Sequence, residues 1–142
     1  LTTEIASRST ARRIEALDYE AVFVAALVER NKDPRVHAQQ GDACKLPSGD
    51  NEVDSALSML VLHFVSDAQR AINEMRRVLG EGGIAAATVW DTAAALEPTA
   101  SVQRVVPMTR PSELRSGFEK AGFIIIRETL LTIQMDFEGF ED

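Results

Sequence analysis

The feature that most restricts the fold of this chain is an alternation. Runs with strand character are followed repeatedly by segments with helical periodicity. A chain of this kind lays its strands side by side and returns over them with crossover helices, which predicts an α/β fold with a parallel sheet. Leu1 to Ser9 reads as a short helix and Arg12 to Asp18 as a strand ending in a carboxylate. Tyr19 to Arg30 reads as a helix with Val22, Ala25, Ala26 and Glu29 on one face. A turn at Asn31 to Pro34 leads to a strand at Val36 to Gln40 and a loop at Gly41 to Gly49.

The run Val53 to Phe64 is largely apolar, as expected for a strand buried on both faces and stopping near Leu60. Asp67 is placed to cap a helix from Ala68 to Leu79, with Ala71, Ile72, Met75, Val78 and Leu79 on its apolar face. Gly80, Gly82 and Gly83 break that helix before a buried strand at Ile84 to Trp90. Pro111 to Ala121 has a proline start and a glycine stop at Gly122, the pattern of a helix. Phe123 to Ile133 is expected to be a final strand, and Asp136 to Asp142 an acidic turn or helix start. Thr92 to Arg110 shows no pattern.

The length of 142 residues suits one domain. A net charge of -7 makes nucleic-acid phosphates and anionic membranes poor partners. No 18-residue apolar window suggests a membrane span. Cys44 is the only cysteine, so it makes no internal disulfide and no zinc site by itself. With no basic stretch leading into an apolar core at the N-terminus, a reducing, cytoplasmic setting is expected. The sequence opens at Leu1 in a helix already under way, so an incomplete domain is expected.

Open parallel sheets bind ligands at the carboxyl ends of their strands. Three such ends carry polar groups. Asp18 closes one, and a carboxylate there accepts two hydrogen bonds from the vicinal hydroxyls of a ribose. Gly41-Asp42-Ala43 closes the next, where a carboxylate and a backbone N–H match the amino group and ring nitrogen of adenine. Ser58-Met59-Leu60 ends the central apolar run. Each alone is equally well a helix cap or a solvated turn.

In order, these residues form a pattern. Asp18, Gly41-Asp42-Ala43 with Leu46-Pro47, Val53-Asp54, Ser58 to His63, Glu74 to Leu79 and Gly82-Gly83 resemble the small-molecule class I S-adenosylmethionine-dependent methyltransferases, of the ubiquinone/menaquinone-biosynthesis-like kind. The resemblance is strongest from Asp33 to Trp90 and implies a Rossmann-like methyltransferase sheet with helices on both faces. It implies S-adenosylmethionine as cofactor and a small-molecule methyl acceptor. It places Asp18, with Tyr19 beside it, on the ribose, Asp42 and Ala43 at the adenine, and Ser58, Met59 and Leu60 on the methionine side. The family's glycine-rich loop and first strand belong just before Leu1, and a last antiparallel strand after Asp142. Neither is in the sequence.

His63 is a candidate base for the methyl acceptor, although a strand-end histidine that packs and bonds locally is the favoured reading. Cys44 is expected to be a small filler near the adenine. Trp90 and Asp91 either touch substrate or belong to the core. Arg76 and Arg77, flanked by Glu74 and Glu81, are expected to form a solvated helix face. Methyl transfer needs donor and acceptor held in line and water excluded, so no triad or metal cluster is required. Two rival readings stand beside it. One is a non-catalytic relative acting through association, as a homo-oligomer or with another protein, across exposed strand edges. The other is a nicotinamide-dependent dehydrogenase, which the Gly-Asp-Ala-x-x-Leu-Pro run argues against.

Overall fold

The computed structural model describes residues 1–90, 108 and 112–131. Its elements run α1 (Thr2–Arg8), β1 (Ile14–Asp18), α2 (Ala21–Arg30), β2 (Val36–Gln40), β3 (Val53–Met59), α3 (Ala68–Val78), β4 (Leu79–Thr88) and α4 (Glu113–Lys120). The alternation read from the sequence is therefore the alternation of the fold, and both strand pairings are parallel. Parallel neighbours cannot be joined by a tight hairpin, which is why α2 and α3 stand between their strands.

One expectation is corrected. The strands do not form a single sheet: β1 pairs with β2, and β3 with β4, as two two-stranded sheets. A ladder needs a neighbour about 4.8 Å away, and among the described residues no ladder joins β1 to β3. The expected final strand is corrected as well. Residues 123–131 adopt no regular element, and the rest of that segment lies outside the described residues. Phe123 and Ile125 pack against the core while Ile124 and Ile126 stay exposed, so the alternation of a strand is present without a strand beside it.

The main core lies between α3, the β3–β4 pair and α4. Ala68, Ala71, Ile72, Met75 and Val78 of α3 are all buried, as is Leu79 at the start of β4. This is the face expected from their helical spacing. Asp67 caps the helix through its carboxylate, which accepts from the Arg70 amide at 2.9 Å. Phe118 of α4 completes the cluster, its ring 5.1 Å from that of Phe123. Gly117 lets α4 come this close, because a Cβ there would lie 2.8 Å from Ile72 Cδ1. Gly122, at φ +85°, stops α4 as expected.

Among the described residues the β3–β4 pair is covered on one face, not two. Ala56, Ala85, Ala87 and Val89 pack toward the core. Leu57, Met59 and Ile84 are exposed by about half, and so is Trp90, which is therefore not a core residue. The strand register puts Leu57 opposite Ala86 and Met59 opposite Thr88, so these exposed side chains share a face. The glycines after α3 sit inside β4, not in a separate turn. Leu79 pairs with Val53 and Ile84 with Ser55, so Gly80 to Gly83 bulge out between two paired stretches.

Helix α2 differs from its expectation. None of its residues is buried; Val22, Ala25 and Glu29 are exposed, and Val24, Ala26 and Leu27 are the half-buried positions. Among the described elements its main contacts are with β1 and β2. The β1–β2 unit is tied together by Arg35 instead. Its guanidinium pairs with Asp33 at 2.6 Å and donates to the carbonyls of Ala6, Ser9 and Ala11. Among the described residues no helix is long and apolar enough to cross a membrane.

Candidate functional site

Strands β1 and β2 run parallel with Asp18 opposite Gln40, so both end at the same rim. The chain turns immediately after β2, and the Gly41 amide donates to the Asp18 carbonyl at 2.9 Å. Asp42 follows on that same rim. A Cβ at Gly41 would stand 2.5 Å from Leu17 Cδ2, so a larger residue there would make the Leu17 side chain shift. The two carboxylates singled out in the sequence thus come from successive strands at one edge, both exposed.

Each carboxylate is anchored locally through one oxygen. Asp18 Oδ1 accepts from the Glu20 amide at 2.9 Å, and Asp42 Oδ1 accepts from the Cys44 amide at 2.8 Å. Both are short Asx-type turns that orient a carboxylate without consuming it. Tyr19 is exposed, and its carbonyl accepts from Gln40 Nε2 at 2.9 Å, a further tie across the rim. Ala43 is half-buried against the core cluster. Cys44 is buried in that cluster, with its Sγ donating to the Asp67 carbonyl at 3.3 Å, so it is a filler as expected.

The third strand end is at the close of β3. Leu60 there has a φ of +57°, unusual for a branched side chain, and its amide donates to the Thr88 carbonyl at 2.9 Å. Such a conformation costs about 1–3 kcal/mol and persists only where neighbours enforce it. It turns the chain sharply off the strand after Met59. The Ser58 hydroxyl is buried without a partner among the described residues.

His63 is buried, and neither ring nitrogen has a hydrogen-bond partner among the described residues. It packs on Phe64 with ring centroids 4.1 Å apart. Burial lowers its pKa below the ordinary histidine value. The local packing expected of it is present; the local hydrogen bonding is not. Asp91 lies outside the described residues. Among the described residues no group of three or more His, Cys, Asp or Glu side chains is placed to hold a metal ion.

Sequence reasoning missed the polar face of α3. Arg77 is not part of a solvated face: its guanidinium forks onto Glu74 at 2.7 and 2.8 Å and reaches Asp50 at 2.8 Å. The ion pair lowers the pKa of Glu74 and raises that of Arg77. Arg76 remains exposed as expected. The signal was the spacing Arg70, Glu74, Arg77, which places three charged groups on one helical stripe.

The polar groups at this rim fit a nucleoside: carboxylates for hydroxyl and amino groups.

Comparison with known proteins agrees with this geometry. A family described as a methyltransferase domain matches residues 1–87. The ubiquinone/menaquinone biosynthesis C-methyltransferase of Caulobacter vibrioides is 36% identical over 70 residues, which are 49% of this chain and 28% of that protein. The chain thus spans under a third of the length of that relative. Among solved structures, the [4+2]-cyclase SpnF superimposes with a TM-score of 0.72 at 29% identity, covering 89% of this chain and 47% of that one. A SAM-dependent methyltransferase from Aquifex aeolicus gives a TM-score of 0.67 at 20% identity, covering 89% of this chain and 67% of that one. The dehydrogenase reading falls with these matches. The chain belongs to the methyltransferase domain family, the class I methyltransferases whose cofactor is S-adenosylmethionine.

Proposed function

We propose that this chain supplies the nucleoside-binding rim of an enzyme that transfers a methyl group from S-adenosylmethionine to a small-molecule acceptor. The observation that carries the reading is the shared rim: Asp18 and Asp42 close successive parallel strands, joined by the Gly41 to Asp18 backbone bond. The Asp18 carboxylate accepts from the two ribose hydroxyls, with Tyr19 beside it. Asp42 and Ala43 border the adenine, and Ser58, Met59 and Leu60 lie toward the methionine side.

The bound cofactor supplies an activated sulfonium whose methyl group is displaced in line. The protein's own share is to fix donor and acceptor and to keep water out, which demands no nucleophile from the chain. His63 is read as a packing residue, because both ring nitrogens are enclosed and the ring packs on Phe64. The acceptor is a small molecule and the acidic chain is no partner for nucleic acid.

Calorimetric titration of the 142-residue chain with S-adenosylhomocysteine tests the rim. Asp18→Ala is expected to weaken binding by about 1.5–3 kcal/mol, the scale of hydrogen bonds to a charged group. An unchanged dissociation constant would remove Asp18 from the site.

A second reading is favoured by a separate observation, the exposed apolar face formed by Leu57, Met59, Ile84 and Trp90. An apolar sheet face of this kind suits association with another chain. In that reading the chain acts through a partner, and titration with the nucleoside cofactor gives no heat.

A further inference from the structure

The segment between β2 and β3 carries Asp42 and Ala43 but forms no helix or strand of its own. Its main chain is held by one polar stripe of α3. Arg70 Nε donates to the Cys44 carbonyl at 3.0 Å. Glu74 Oε2 accepts from the Leu46 amide at 2.9 Å, and Arg77 Nη2 donates to the Leu46 carbonyl at 3.1 Å. Arg77 Nη1 holds Asp50, and the Arg77 carbonyl accepts from the Asn51 amide at 3.0 Å. These residues sit at i, i+4 and i+7, one above the other along the helix.

The contacts reach backbone atoms at Cys44 and Leu46, just beyond Asp42. They therefore fix the path of the segment and not merely one side chain. Glu74 has two tasks at once, taking the Leu46 amide and orienting the Arg77 fork. A planar guanidinium paired with a carboxylate in this way is rigid as well as strong. The apolar face of the same helix is locked in the core, so the stripe cannot shift without disturbing Ile72 and Met75.

We infer that Arg70, Glu74 and Arg77 are positioning residues: they set the segment after β2 in its binding shape before any ligand arrives, and so present Asp42 and Ala43 to the adenine end of the cofactor. The inference rests on the reading above that Asp42 and Ala43 border the adenine. A segment without regular structure would otherwise be ordered by the ligand, and that ordering would be subtracted from affinity.

Amide hydrogen exchange on the full chain tests the inference, together with S-adenosylhomocysteine titration, in the parent, Glu74→Ala and Glu74→Gln. In Glu74→Ala the Leu46 amide is expected to exchange about ten- to hundredfold faster, while Ile72 and Met75 amides keep their protection. Glu74→Gln keeps a side-chain oxygen that accepts from Leu46 and restores most of that protection. Ligand affinity follows the same order, falling about tenfold in the alanine variant and recovering in the glutamine variant. Arg70→Met, a milder change at an exposed residue, carries the test through the Cys44 to Leu46 amides if Glu74→Ala does not fold. The inference is overturned if Leu46 exchange is unchanged, or rises in step with Ile72 and Met75. It is equally overturned if the segment loosens and the affinity of a binding parent does not move. A parent chain that binds no S-adenosylhomocysteine refutes the cofactor reading instead, and the exchange rates then decide the clamp by themselves.

Discussion

Helices α2 and α3 reverse what their compositions suggest. The sequence of α2, AVFVAALVER, is the more apolar, yet none of its residues is buried. The sequence of α3, AQRAINEMRRV, is mostly polar, yet five of its residues are buried. The difference lies in what each helix meets. Helix α3 is packed between the β3–β4 pair and α4, so a narrow apolar stripe suffices. Among the described elements helix α2 packs mainly on β1 and β2, and its unit is held by the polar hub of Arg35 on the carbonyls of Ala6, Ser9 and Ala11. Apolar content makes burial possible; the presence of a second surface decides whether it happens.

The largest effect should come from the α3 core. Ile72 is fully buried and touches the place where α4 crosses at Gly117. Ile72→Ala is expected to cost about 2–5 kcal/mol, the range for emptying a close-packed aliphatic site. Urea unfolding reads this directly. A loss below about 1 kcal/mol, the scale of mere methyl trimming, would mean that α3 is no better packed than α2 and would erase the contrast.

One step down is the cap of α3. Asp67→Ala removes the side-chain acceptor of the Arg70 amide and should cost about 1 kcal/mol. The same melts should show Asp67→Asn as nearly neutral, because an amide oxygen still accepts that bond. If Asn is as harmful as Ala, charge and not the cap is responsible.

Particular residues show why some of this was legible beforehand and some was not. The α3 stripe, the Asp67 cap, the Gly122 stop and the β2 boundaries are local, and each is written in adjacent or helically spaced residues. The rim was legible for the same reason, since Asp18 and Gly41-Asp42 close strands whose parallel order follows from the alternation. Three things depended on distant partners and were not legible. Leu57 and Met59 look like core residues, but their face meets no second layer among the described residues. Phe123 to Ile126 alternates as a strand would, but among the described residues no strand pairs with it. Arg77 looked like surface charge because Leu46 and Asp50, which it holds, lie far back in the chain.

The polar hub should make the β1–β2 unit acid-sensitive in a way the α3 core is not. Hydrogen bonds from Arg35 lower the pKa of Asp33 from 3.8 to about 2. Between those values the folded state keeps Asp33 ionised while the unfolded chain takes up a proton. Its contribution is complete above the unfolded value and is lost as pH falls toward about 2. Asp33→Asn should therefore lower stability at neutral pH, where that contribution is complete, and flatten the acid limb in that window, so that parent and variant converge as pH falls toward about 2. Thermal melts in acid buffers check this; identical slopes in parent and variant would show that the hub does not act through the Asp33 charge.

The smallest effect should come from the exposed side of α2. Phe23 is 59% exposed, beside exposed Val22, on a helix with no buried residue. If the isolated chain is the folded unit, Phe23→Ser changes stability by no more than about 0.5 kcal/mol, as for surface positions in general. Such a null result would leave the contrast with Ile72 at its widest. The informative alternative is a concentration-dependent one. An exposed phenylalanine and valine on one helix are also what a second chain would cover, and a homo-oligomer through α2 would supply the missing second surface. In that case the parent should sediment as more than a monomer, its melting temperature should rise with protein concentration, and Phe23→Ser should abolish both. Melting that is independent of concentration, in parent and variant alike, would show that the Val22 and Phe23 side of α2 stays bare in solution and contributes nothing to holding this chain together.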